Sequence, residues 1–149
     1  MSFFKRSSNK YIILSITVVA LIACFMAPAM AGDDLNVTPV VTKGADQTAY
    51  VIYNIEYSGT INAIGLTINL PENVEFVSAN CDYPPAIAPS KGDTGALEFA
   101  WVTTPPSPFT FSYTVLAYDK VEGNIDSTVN YRRAGGPLFE EIAPISIEK

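Results

Sequence analysis

The sequence predicts an all-β domain, an antiparallel β-sandwich of seven or eight strands, carried out of the cytoplasm by an N-terminal signal. Three observations predict it. Apolar and polar residues alternate along almost all of residues 32–149, which is the period of strands with one buried face. Helical spacing hardly occurs there, so the strands lack the intervening helices that a parallel sheet requires. Residues 1–31 show the basic, apolar and small-residue parts of a secretory signal peptide.

That leader begins with Lys5, Arg6 and Lys10 and continues through an uncharged run from Tyr11 to Met26. Ala27-Pro28-Ala29-Met30-Ala31 follows, ahead of the first acids, Asp33 and Asp34. Pro28 ends an apolar helix just before a small-x-small site, so cleavage is expected after Ala31. Two other fates fit the same residues. Tyr11 to Ala31 is long enough to remain as an anchor. Leu21-Ile22-Ala23-Cys24 resembles a lipobox, in which Cys24 is acylated and becomes the N-terminus. Each fate places residues 32–149 at an extracytoplasmic surface or in secreted form, with membrane contact confined to the N-terminal segment.

Strand by strand, Val37 to Val41 reads as a weak edge strand, blunted by Pro39. Gly44-Ala45-Asp46 is a turn, and Tyr50 to Tyr57 is a strand with Val51, Tyr53, Ile55 and Tyr57 on one face. Ser58-Gly59-Thr60 offers a hairpin turn. Ile64, Leu66, Ile68 and Leu70 form the clearest alternation in the chain. Pro71-Glu72-Asn73 makes a corner before a strand at Val74 to Ala79. Residues 80–95, rich in proline and glycine, form the longest irregular segment, of a length that often carries function. Leu97, Phe99 and Trp101 share the next face, and three prolines stiffen the link from Thr103 to Pro108. Phe109, Phe111, Tyr113, Val115 and Ala117 line a long strand, followed by a turn at Asp119 to Asn124. Ile125, Ser127, Val129 and Tyr131 give a further strand, ended by Arg132 and Arg133 and a Gly135-Gly136-Pro137 bend. Phe139 to Ile147, interrupted by Pro144, closes the domain.

The stretch Ile64-Gly65-Leu66-Thr67-Ile68-Asn69-Leu70-Pro71, running into Glu72-Asn73-Val74-Glu75-Phe76-Val77-Ser78-Ala79, resembles cohesin-like and related immunoglobulin-like modules of bacterial surface proteins. The runs Gly95 to Trp101 and Pro108 to Val115 continue the likeness, which covers roughly residues 60–132. It departs from cohesins in lacking a clear Gly-Asp opening strand. The resemblance implies an immunoglobulin-like sandwich that holds proteins or sugars at a cell surface.

Composition narrows the chemistry. Beyond residue 31 all 15 acids remain but three of the 9 basic residues are lost, for a net charge near −9. Such a surface repels phosphate backbones, which excludes nucleic acid as a partner. The chain has no histidine, which removes His-dependent triads and His metal sites. After cleavage Cys81 is the one cysteine, so it is a free thiol or pairs between molecules. Glu72 with Glu75, and Glu140 with Glu141, are the nearest approach to paired catalytic carboxylates. As residues at turns and strand ends they read as solvated, so no enzymatic activity and no cofactor are expected. Asp82, Asp93, Asp119, Glu122 and Asp126 fall near loops but lack an EF-hand spacing. Asn36-Val37-Thr38 matches a glycosylation sequon. Most aromatic residues fall at inward positions; Tyr50, Tyr83 and Tyr118 do not, and are the candidate contacts for a protein or glycan partner.

The expected function is therefore an exported structural or adhesive module. A carbohydrate-binding module is one alternative. A self-associating fibre subunit is another, and it would expose Val37–Val41 or Phe139–Ile147 for strand addition.

Overall fold

The structure, a computed structural model, describes residues 34–117 and 123–147. Residues 1–33, with the cleavage site expected after Ala31 and the alternative lipidation site at Cys24, and also Tyr118, Asp119 and Glu122 lie outside the described residues. Among those described there is no helix, and eight strands are formed. They are β1 (Leu35–Lys43), β2 (Thr48–Tyr57), β3 (Ala63–Asn69), β4 (Val74–Cys81), β5 (Ala96–Trp101), β6 (Phe109–Ala117), β7 (Asn124–Arg133) and β8 (Gly136–Ser146). Two antiparallel sheets result, ordered β1-β2-β6-β4 (sheet A) and β5-β3-β7-β8 (sheet B).

Sheet A and the trio β3-β7-β8 are the two layers of an immunoglobulin-type sandwich, and β5 extends the second layer along β3. One feature is different. An immunoglobulin chain lays down that extra strand before crossing to the far edge of the first layer, whereas here β4 crosses first and β5 returns.

Alternation sets the core. Val51, Tyr53 and Ile55 from β2 and Phe111, Tyr113 and Val115 from β6 face Leu66, Ile68, Phe99, Ile125 and Val129 of sheet B, all buried. Aromatic rings interlock at its centre: Phe99 meets Phe111 edge-on at 4.7 Å, and Trp101 meets Phe111 at 5.3 Å and 88°.

The hairpin expected at Ser58-Gly59-Thr60 is not one. β2 lies in sheet A and β3 in sheet B, so this segment carries the chain between layers. Both strands have an inner apolar face, and two such faces are buried by stacking as well as by pairing, which local sequence does not distinguish. Arg133 ties down the crossover: its Nη1 donates to the Ser58 carbonyl at 2.8 Å, and its guanidinium lies over the Tyr131 ring at 5.5 Å. The next crossover turns at Asn73, whose φ of 64° is a backbone state that asparagine tolerates.

Pro144 does not interrupt the last strand. β8 runs through it, because the register with β7 shifts between the Ile125–Ile145 and Ser127–Ile142 pairs. The bulge places Pro144 among the unpaired residues of β8, where its missing N–H costs no ladder bond. In β4, Val77 is the corresponding extra residue.

The irregular segment after β4 covers two sheet edges. Phe76 N–H donates to the Asp93 carbonyl at 2.8 Å, and the Phe76 carbonyl accepts from Gly92 N–H at 2.8 Å, along β4. Ala86 and Ile87 donate to the Ala100 carbonyl, and Ala100 N–H donates to the Ile87 carbonyl at 3.0 Å, along β5. The other two edges, β1 and β8, carry Pro39 and Lys43, and Pro137, Pro144, Glu140 and Glu141. Proline and charge at an edge oppose strand addition.

Candidate functional site

The outer face of sheet B holds an apolar trough of about 740 Å³. Its shape follows from strand register. Ala100 of β5, Gly65 of β3, Asn130 of β7 and Phe139 of β8 form one row across the sheet. Gly65 has no side chain and Ala100 a short one, so the middle of the row is low. A Cβ added at Gly65 would lie 3.1 Å from the Phe99 carbonyl oxygen, so the neighbouring backbone approaches closely there. The next row, Ala63, Arg132 and Pro137, continues the trough along the strands.

Its walls are apolar side chains left in water. Val102 is 76% exposed and Phe139 74%, while Leu138, which pairs with Tyr131 in the inward row, borders the trough from the strand edge. Arg132 is the one charged residue of the lining, and neither a carboxylate nor a thiol joins it. Asn130 is held in place by donating from Nδ2 to Thr67 Oγ1 at 3.2 Å. Exposed large apolar side chains gathered on one concave face are uncommon on a monomer and mark a contact surface. Trp101 lies beneath as part of the core, 2% exposed, and its Nε1 donates to the Tyr83 carbonyl at 2.6 Å.

Of the sequence candidates, Tyr50 is exposed on the outer face of sheet A, in a separate depression, and Tyr83 is exposed in the loop after β4. Neither lines the trough. Cys81 is a partly buried free thiol whose Sγ donates to the Thr110 carbonyl at 3.3 Å. Burial first, then the adjacent Asp82, pushes its pKa up, while a hydrogen bond to the Tyr83 backbone opposes the shift. Among the described residues no three acidic or thiol side chains gather as metal ligands. Asp93 is engaged in its own loop, with Oδ2 accepting from Ser90 N–H at 2.8 Å.

Deep in the core, the Tyr53 hydroxyl bridges the layers. It lies 2.6 Å from Ser127 Oγ and 3.3 Å from the Tyr113 hydroxyl. Desolvation pushes both phenols above their ordinary pKa, most strongly at Tyr113. This cluster is sealed from solvent and satisfies its own polar atoms.

The trough escapes a sequence reading because its residues are gathered from four strands, β3, β5, β7 and β8, and the position just after β5. Leu138 and Phe139, an adjacent apolar pair after Gly135-Gly136-Pro137, are the local signal. Ala63 and Gly65, on the solvent side of the clearest strand, are the other.

No family profile matches the sequence, and neither does any curated protein. Among solved structures the chain is similar to the chitin-binding domain of a chitinase from Pyrococcus furiosus, at 17% identity and a TM-score of 0.44. That match covers 70% of this chain and 91% of the other. It is also similar to the GAE domain of yeast GGA1, at 10% identity and a TM-score of 0.43, covering 77% of this chain and 93% of that one. Both are β-sandwich domains, and the likeness is one of architecture.

Proposed function

We propose that the chain is an exported, non-enzymatic interaction module that holds a partner protein against the outer face of sheet B. The observation that carries this reading is the trough: a small-residue floor, exposed Val102 and Phe139 as walls, and a single charge. Burying those walls against a partner supplies the main driving force of protein association. A glycan on this face would call for free hydroxyl and amide groups around an exposed ring, to match its alcohol groups. In this trough the side chains around Phe139 are apolar apart from Arg132 and Asn130, whose amide already donates to Thr67. Strand addition into a fibre is opposed by the covered or proline-bearing edges.

A photo-crosslinking residue at position 139 of the protein, expressed in its own host, tests the reading. A discrete adduct with one protein is expected, absent when the crosslinker sits at Glu56 and lost when Val102→Glu is added. No adduct at 139, or equal adducts at both sites, would overturn it.

A further inference from the structure

The outer face of sheet A has a different chemistry from the trough. Register aligns Thr42, Tyr50, Thr114 and Ser78 in one row across β1, β2, β6 and β4, and Val40, Ile52, Ser112 and Asn80 in the next. Between them lies a depression of about 350 Å³ whose lining includes no charged side chain. That neutrality is unusual on a chain with 15 acidic residues. Among the described residues, the side chains of Thr42, Ser78, Asn80 and Thr114 make no hydrogen bond within the protein, so their hydroxyl and amide groups are open to a ligand.

Tyr50 stands in this row, 46% exposed. Its ring lies close against the Gly44 backbone: a Cβ added at Gly44 would sit 2.6 Å from Tyr50 Cε2. A ring held this way loses little freedom on binding.

We propose that this face binds a neutral oligosaccharide, with Tyr50 as the stacking platform and Thr42, Ser78, Asn80 and Thr114 as its hydrogen-bonding rim. The negative face of an aromatic ring attracts the C–H face of a sugar ring, and hydroxyls and an amide match its alcohol groups as donors and acceptors. An anionic ligand finds no cation here and meets the field of an acidic domain. A metal cation finds no carboxylate, and an apolar partner would strip water from groups it cannot satisfy.

Titration of the purified protein with soluble oligomers of β-linked glucose or N-acetylglucosamine, and with oligogalacturonate as the acidic control, tests the proposal. At least one neutral oligomer is expected to bind, with NMR shift changes confined to the outer face of sheet A, and the acidic control is not. Tyr50→Ala should weaken binding by about tenfold or more, and Tyr50→Phe by no more than about twofold, since the ring face makes the contact. Phe139→Glu, on the opposite face, should leave binding unchanged. The proposal is overturned if neither neutral oligomer binds, if the shifts fall on sheet B, or if Tyr50→Ala binds like the unaltered protein.

Discussion

Tyr53 carries two jobs on one side chain. Its ring packs between Phe111 and Tyr113, and its hydroxyl joins sheet A to Ser127 of sheet B. Tyr53→Phe keeps the ring but strands the buried Ser127 hydroxyl, and should cost about 1–3 kcal/mol in urea denaturation. Tyr53→Phe with Ser127→Ala should recover part of that loss, because both polar partners are then gone. The two phenols also set an alkaline limit. Burial raises their pKa in the folded state above the unfolded value, so only the unfolded chain ionises readily as pH rises past about 10. Their contribution is fully present below that pH and lost above it. Denaturation at a series of pH values should show stability falling on the alkaline side, and less steeply in Tyr113→Phe.

At the scale of elements, one strand face can decide folding. Phe111 on β6 touches Tyr53, Phe99, Trp101 and Tyr113 and is fully buried. Phe111→Ala should cost about 3–5 kcal/mol, and Phe111→Asp, which buries an unpaired carboxylate, should leave no folded protein by circular dichroism. The alternation of β2, β3, β5, β6 and β7 was legible because side chains on a strand switch sides every second residue. The ends of β4 and β8 were less so. Bulges at Val77 and around Pro144 add a residue to one strand alone, and period-two patterning has no way to signal that.

For the whole molecule, the two outer faces differ where the inner faces are alike. Val102→Glu and Phe139→Glu touch the apolar outer face only. Both should leave the unfolding free energy within about 0.5 kcal/mol of the unaltered protein, and Val102→Glu should abolish the adduct expected from the crosslinker at position 139. A large loss of stability would mean that these side chains belong to the fold instead. Tyr50 was visible in sequence as an outward aromatic residue. Its companions were not, because Thr114 and Ser78 come from strands far from it in the chain, and these and Thr42 join it in one row only through register.

The sequence by itself determined that the chain is all-β, which residues face inward, and that residues 32–149 are acidic and free of histidine. Each of these is a local property of composition or of the strand period. Only the tertiary structure decided that the chain changes layers after β2, that β4 precedes β5, and which small and large residues line up to make a trough. Those depend on which strand pairs with which, and an apolar face fits many partners equally until the whole sandwich closes.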